Sequence, residues 1–329
     1  MTRMEKRVQA QANANFYSLW GSSDPEDRTA RYDEYRHCWM AYPSRFQVRE
    51  FPVHLDLEAS SRCNLRCTFC DKLPLLSRDQ LGDMDFDLYR KIIDEGEERQ
   101  LWSVKLSYRG EPLLNPRIAE MVAYAKKRGI VDIYFNSNGM LLTENMADKL
   151  IAAGLDRISI SVEGVDPVRF EKERVGAKYD RIARNIETLM DLKVRRNCSH
   201  PKVRVQAGVL PGVDLDEYRD YWRYRCDEAA AIDYKDAVQR DENLIDPGWA
   251  CPQLWQRMTV EWNGAIIPCN NDDFRLLSPG NVRNRDIYSC WHDPLVQRAR
   301  EMHRRGESHL LDACRGCPWR ATQVKKNGE

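Results

Sequence analysis

The chemistry of this chain is concentrated in its cysteines. Eleven occur in 329 residues, and the stretch S-S-R-C-N-L-R-C-T-F-C-D sets Cys63, Cys67 and Cys70 in a C-x3-C-x2-C arrangement. Soft thiolates suit iron–sulfur clusters and zinc. Three of them leave a four-iron cube one ligand short, so one iron stays open to a substrate or cofactor. A zinc site is the alternative, yet zinc sites usually pair C-x2-C units with a fourth Cys or His nearby, and none follows closely here. Further along, W-A-C-P-Q-L-W-Q-R-M-T-V-E-W-N-G-A-I-I-P-C supplies Cys251, Gly264 and Cys269 as C-x12-G-x4-C, with a hairpin turn at Asn263-Gly264, and A-C-R-G-C-P supplies Cys314 and Cys317. Four thiolates from a hairpin and a C-x2-C knuckle can saturate one cluster, which suits electron transfer better than catalysis at iron. Taken alone, the set fits a zinc ribbon almost as well. Cys38, Cys198, Cys226 and Cys290 remain. Leftover thiols are most often simply buried, although Cys290, near the second set, is a candidate hydrogen-atom donor.

The elements around these residues read as βα units. Short β-rich runs at 53–58, 102–108, 131–136, 156–162, 203–209 and 230–235 alternate with amphipathic stretches near 85–99, 116–128, 143–153, 179–194 and 215–226, several opened by Asp, Pro or Thr and closed by Gly. The fold class is therefore α/β, a partial (β/α)6 TIM-like barrel. Its first cysteine group falls on the loop after the first strand, on the face where such barrels carry their chemistry. Strand parity adds a second message. Val53, Leu55 and Leu57 face the helices, which leaves His54, Asp56 and Glu58 inside, joined by Lys105, Ser107, Arg109, Tyr134, Asn136, Ser159, Ser161, Glu163, Arg204 and Gln206. A polar inner wall suggests a cavity for a hydrophilic ligand, with ion pairs plugging the barrel floor as the plainer reading. Glu58, Glu163 and Asp233, with Asp56, are candidate bases there.

Three parts follow: a helical extension over 1–50, rich in aromatics such as Trp20, Tyr35 and Trp39 and readable as packing or as a lid; the barrel over 51–240; and a small β-hairpin and helix domain over 241–329. Hydrophobic residues make up 42% and charged residues 31%, with 51 basic against 51 acidic side chains. That excludes a disordered chain and gives no net field for nucleic acid. No apolar run approaches the roughly 18 residues a membrane span needs, and the start lacks a secretory stretch. A cytoplasmic protein is expected, whose cysteines are thiols or ligands rather than disulfides.

In the motif C-N-L-R-C-T-F-C, with Phe69 before the third cysteine, the chain resembles the radical S-adenosylmethionine (SAM) enzymes over most of 53–320. The resemblance implies a [4Fe-4S] cluster on Cys63, Cys67 and Cys70 whose free iron is chelated by SAM, and which cleaves it reductively to a 5′-deoxyadenosyl radical. Y-R-G-E-P at 108–112 resembles the family's Gly-Gly-Glu-Pro strand end, with Arg109 in place of the first glycine. Phe69, Gly110, Glu111, Pro112, Asn136, Ser161 and Arg174 are then expected around SAM. The second cysteine set, with G-N-V at 280–282, resembles the family's twitch or SPASM auxiliary domains and implies one further [4Fe-4S] cluster on Cys251, Cys269, Cys314 and Cys317. By resemblance to the twitch-bearing dehydrogenases of aminocyclitol and amino-sugar pathways, the expected reaction is oxidation of an alcohol to a ketone on a small polar substrate. A flavodoxin- or ferredoxin-type reductant is the expected partner. Epimerisation with a cysteine hydrogen donor, maturation of a ribosomal peptide, and a non-catalytic electron carrier or zinc protein are the alternatives.

Overall fold

The computed structural model describes residues 16–25, 28–70, 72, 74, 80–233, 245 and 247–326. Residues 1–15 of the extension and the 240/241 domain boundary lie outside them. In chain order the elements are β1 (Phe16–Gly21), α1 (Ala30–Ser44), β2 (His54–Leu57), the two-residue β3 (Arg66–Cys67), α2 (Phe86–Glu98), β4 (Ser103–Lys105), α3 (Ile118–Lys127), β5 (Asp132–Ser137), α4 (Glu144–Ala153), β6 (Arg157–Ser161), α5 (Pro167–Glu173), β7 (Arg174–Val175), α6 (Tyr179–Arg195), β8 (Lys202–Val209), α7 (Leu215–Trp222) and β9 (Glu228–Asp233). The C-terminal part adds β10 (Arg257–Val260), β11 (Ala265–Ile267), β12 (Gly280–Asn281), α8 (Ile287–Trp291), α9 (Pro294–Arg304), α10 (Asp312–Arg315) and α11 (Pro318–Lys326).

Among the described residues one sheet runs β1-β9-β8-β6-β5-β4-β2-β10-β11-β12. Its six central strands, β2 to β9 without β3 and β7, pair in parallel and make the partial barrel. Local chemistry sets the covering helices. Asp85 caps α2 by accepting from the Asp87 N–H, and the α2 residues Leu88, Tyr89, Ile92 and Ile93, at helical spacing, are buried against the sheet. Thr143 caps α4, which stops at Gly154 in the left-handed region (φ 82°). On the strands, Leu55, Leu57, Val104, Ile133, Phe135, Ile158 and Val205 are buried in one core with these helices. The opposite parity faces the barrel interior.

Two features depart from the expected organisation. The described part of the extension starts with a strand: β1 lies antiparallel on β9 and so covers an otherwise open sheet edge. And β10 pairs in parallel with β2, so the C-terminal hairpin continues the barrel sheet. Helix α1 is also placed differently from a lid. Tyr32, Tyr35 and Trp39 pack on Val53 and Trp102, at the starts of β2 and β4, the end of the barrel opposite the cysteine loop. Among the described residues, no helix is long and apolar enough to cross a membrane.

Candidate functional site

The inner wall divides by height. At the floor its charges are paired off: Asp56, fully buried, lies 3.2 Å from Arg257 Nη1 and 3.4 Å from Lys105 Nζ, while Arg157 grips Asp132 through bonds of 2.9 and 2.6 Å. Burial alone would raise the Asp56 carboxyl, but Lys105, Arg257 and His54 together hold it well below the usual carboxylate range. Arg204 bonds Glu228 and Ser23. This layer is a plug, so the polar parity of Asp56, Lys105 and Arg204 reports packing rather than ligand binding.

Above the plug a cavity of about 320 Å³ opens, lined by Cys63, Cys67, Phe69, Cys70, Gly110, Glu111, Asn136, Ser137, Asn138, Ser161, Glu163, Arg174, Gln206, Gly208 and Asp233, among others. The cysteine loop is tied down at two points. Its β3 pairs antiparallel with β7, setting Cys67 opposite Arg174. On the other side the Glu111 N–H donates to Arg62 O at 2.7 Å, and Gly110 lies so close that a Cβ there would stand 2.4 Å from Ser60 O and 2.5 Å from Arg62 O. Glycine is required at 110 by the backbone of the cysteine loop. Cys63, Cys67 and Cys70 sit close enough to influence one another's charge, and burial pushes Cys67 up to about 11, Arg174 opposing. Ligation therefore has to supply the counter-charge for thiolates.

Glu111 is 2% exposed, and its carboxylate accepts from Ser137 Oγ (2.8 Å), Leu113 N (3.1 Å) and Asn138 N (2.7 Å). Burial raises its pKa and these donors counter it. Asn138 Nδ2 in turn bonds Asn64 Oδ1 at 2.8 Å, within the cysteine loop. Ser137 and Asn138 line the cavity and hold Glu111, whereas sequence analysis singled out only Asn136 of the run N-S-N-G at 136–139. Pro112 opens a one-turn 3-10 helix behind Glu111. Arg174 makes a two-pronged pair with Glu163, the longer bond 2.7 Å, and its Nη1 lies 3.8 Å from Cys67 Sγ. Phe69 stacks under the same guanidinium at 5.4 Å. At the far wall the Tyr17 hydroxyl of β1 lies 3.1 Å from both Asp233 oxygens.

Two candidate catalytic residues stand elsewhere. Glu58 is fully buried outside the cavity lining; Arg109 binds it at 2.7 and 2.8 Å, and the Trp262 N–H reaches it at 3.1 Å. Arg109 continues to Glu261 at 3.1 Å, and Glu261 to Arg275 at 2.9 and 2.7 Å. The arginine that replaces a family glycine thus laces the barrel rim to the β10–β11 hairpin, and Glu58 is held by that network outside the cavity lining. Cys290 is fully buried in the hydrophobic core with Ile287, Trp291 and Val296, and burial pushes it up to about 11. A core thiol outside the cavity is in no position to return a hydrogen atom to a substrate.

Cys251, Cys269, Cys314 and Cys317 form the second group. Burial pushes Cys251 and Cys314 well up; Cys314 feels the other three thiols of the set, and Cys251 feels Cys269 and Cys317. Cys251 and Cys317 pack with Trp249 and Trp319, and the Asn271 N–H points at Cys269 Sγ from 3.3 Å. The donor chemistry of both groups, thiols gathered in buried surroundings, fits iron–sulfur clusters. Among the described residues no three His, Cys, Asp or Glu side chains converge on one point as a single metal ion requires.

Comparison with known proteins agrees with this geometry. Residues 57–222 match the family "Radical SAM superfamily", and 251–318 match an "Iron-sulfur cluster-binding domain" of the SPASM type. A probable GTP 3′,8-cyclase of Methanococcus maripaludis is 33% identical over 153 residues, 44% of this chain and 47% of the relative. A tungsten-containing aldehyde ferredoxin oxidoreductase cofactor-modifying protein of Pyrococcus furiosus is 40% identical over 111 residues, 33% of this chain and 30% of the relative. The chain thus matches less than half the length of these curated relatives. The fold is shared with BtrN solved with AdoMet and 2-DOIA (TM-score 0.54, 19% identity, 80% of this chain and 92% of that one). It is shared too with Streptococcus suis SuiB bound to precursor peptide SuiA (TM-score 0.54, 17% identity, 86% and 74%) and with anSMEcpe with bound AdoMet (TM-score 0.58, 14% identity, 84% and 95%). With a family match across just over half of its residues, the chain belongs to the radical SAM superfamily, with SAM and a SAM-binding [4Fe-4S] cluster as cofactors and auxiliary iron–sulfur chemistry in a C-terminal SPASM domain.

Proposed function

We propose that the chain is a radical SAM oxidoreductase that converts a secondary alcohol of a small polar molecule, an aminocyclitol or amino sugar, to a ketone. The observation that carries this reading is the cavity itself: at about 320 Å³ it is at the small end for ligand sites, and it sets Asp233, Gln206 and Gly208 across from Cys63, Cys67 and Cys70. When bound, the first cluster and SAM supply a carbon radical able to take a hydrogen atom from an unactivated C–H bond, and the second cluster supplies a one-electron sink. The protein's own residues do the rest. Cys63, Cys67 and Cys70 would hold the first cluster, and the Glu111, Ser137 and Asn138 cradle would receive the SAM amino group beside Gly110. Ser161 and Asn136 line the same wall, and the Arg174–Glu163 pair offers a neutralised, preorganised surface. Asp233 is the carboxylate placed to accept the hydroxyl proton, oriented by Tyr17. Cys251, Cys269, Cys314 and Cys317 would hold the second cluster. An external one-electron reductant completes the system.

Epimerisation is less well supported, because Cys290 is a core residue and the cysteines lining the described cavity are the three assigned to the first cluster. The test is anaerobic incubation of the reduced protein with SAM and a panel of aminocyclitols and amino sugars that includes 2-DOIA, with GTP and short peptides as comparison. Ketone formed in step with 5′-deoxyadenosine from a member of the sugar panel is the expected result. Turnover with GTP or a peptide alone would overturn it.

A further inference from the structure

We propose that His303 is a positioning residue that raises the reduction potential of the auxiliary cluster through an N–H···S bond to Cys314, which rests on the four-cysteine ligand set proposed above. His303 projects from the end of α9 into the second cysteine group and is fully buried. Its two ring nitrogens have different partners. The Cys251 backbone N–H, which can only donate, points at Nδ1 from 3.1 Å. Nδ1 must therefore accept, so the ring is neutral and its proton sits on Nε2. Nε2 lies 3.3 Å from Cys314 Sγ. One imidazole thus joins two members of the ligand set, fixed by the backbone of the first and donating to the sulfur of the second.

A second observation points to the same group. The indole Nε1 of Trp249, a residue 1% exposed, has no acceptor among the described residues, and Trp249 packs with Cys251, Cys317 and Trp319 while its ring lies 5.5 Å from that of His303. A buried N–H without an acceptor is costly. A cluster in this space would provide sulfur acceptors.

The electrostatic consequence is direct. Adding an electron makes the cluster and its thiolates more negative, so an N–H donor stabilises the reduced form more than the oxidised form and raises the potential. A higher potential favours uptake of the electron left on an oxidised substrate. Outer-shell donors of this kind act through the ligand they touch, and His303 does not reach the cavity where substrate would sit.

The experiment uses full-length protein carrying Cys63→Ala, Cys67→Ala and Cys70→Ala, so that only the auxiliary cluster remains, and follows its reduction by EPR-monitored potentiometry. His303→Phe keeps a ring without a donor, and His303→Gln keeps a side chain that both donates and accepts. At the potential where half the parent cluster is reduced, the Phe variant is expected to show a reduced-to-oxidised ratio about three- to ten-fold lower, ten-fold being 59 mV for one electron. The Gln variant is expected to recover at least half of that shift. An unchanged potential in a Phe variant that keeps about four irons overturns the role of His303 alone. A triple-alanine parent without about four irons overturns the ligand set on which the proposal rests. Should the Phe variant lose its cluster, the Gln variant decides: a reduced-to-oxidised ratio between the parent's and about three-fold below it supports the bond, and one lower than that, or raised above the parent's, contradicts it.

Discussion

A single methyl group at residue 110 tests how the SAM site is built. The Gly110→Ala side chain would stand 2.4 Å from Ser60 O, 2.5 Å from Arg62 O and 2.6 Å from Ser61 C, all backbone atoms that no rotamer change can move. Ordinary contact needs roughly 3.5 Å, so the strand end and the cysteine loop must part by about 1 Å. The same opening strains the 2.7 Å bond from the Glu111 N–H to Arg62 O. Overpacking costs about 1–3 kcal/mol and a lost backbone bond about 1 kcal/mol. For a chain of this size we expect Tm to fall by several degrees, on the order of 2–4 °C per kcal/mol. Function should suffer more, because Cys63 follows Arg62 directly and Glu111 follows Gly110. A misplacement of about 1 Å between cysteine loop and Glu111 should slow SAM cleavage on the order of 100-fold. The assay is 5′-deoxyadenosine formation under dithionite reduction, normalised to iron content, with differential scanning fluorimetry beside it. Gly208→Ala is the control: its new Cβ would meet only Glu163 Oε1, at 4.0 Å, so it should fold normally and instead crowd the cavity, raising the substrate KM. A Gly110→Ala protein with unchanged Tm and SAM cleavage would refute the close-approach argument.

Three further outcomes follow from the geometry. Asp233→Asn should leave SAM binding and cluster content intact while slowing ketone formation about 10²- to 10⁴-fold, the range for loss of a general base, and an unaffected rate removes Asp233 from the mechanism. Asp56→Asn should destabilise the fold by about 3–5 kcal/mol at pH 7, since Lys105 and Arg257 lose their buried counter-charge. Because the folded-state pKa of Asp56 is depressed, its contribution is complete above the unfolded value near 3.9 and is lost as pH falls below it. The Tm gap between wild type and Asp56→Asn should therefore narrow in thermal melts taken below about pH 4, and a constant gap contradicts the linkage. Glu58→Gln should lower stability by about 3–5 kcal/mol through Arg109, which loses the charge of its buried partner. A Glu58→Gln enzyme that is stable yet inactive would restore Glu58 as a base.

Much of this site was legible before any coordinates. The spacing of Cys63, Cys67 and Cys70 after a β-rich run placed them on a βα loop, and parity turned Leu55 and Leu57 to the helices and Asp56 and Glu58 inward, where they pair with Lys105, Arg257 and Arg109. Parity carries no height, however. It cannot tell Asp56, locked to Lys105 and Arg257 at the floor, from Glu163 at the cavity, nor reveal that Glu58 is taken by Arg109. Pairing across long sequence distances was equally hidden. Nothing near Cys67 announces Arg174, brought there by the two-residue β3–β7 ladder, and nothing in Phe16–Gly21 announces a strand whose partner lies more than 200 residues away. Cys290 was judged by its nearness in sequence to the second cysteine set, but the packing of α8 turned it into the core.

The most direct test of alcohol oxidation is isotopic. Substrate from the aminocyclitol and amino-sugar panel carrying deuterium at each carbinol carbon in turn is turned over anaerobically with SAM. At one carbon, a single deuterium should pass into 5′-deoxyadenosine, with ketone formed in equal amount. Unlabelled 5′-deoxyadenosine accompanied by intact substrate, or a product at the same oxidation level as the alcohol, would contradict the account.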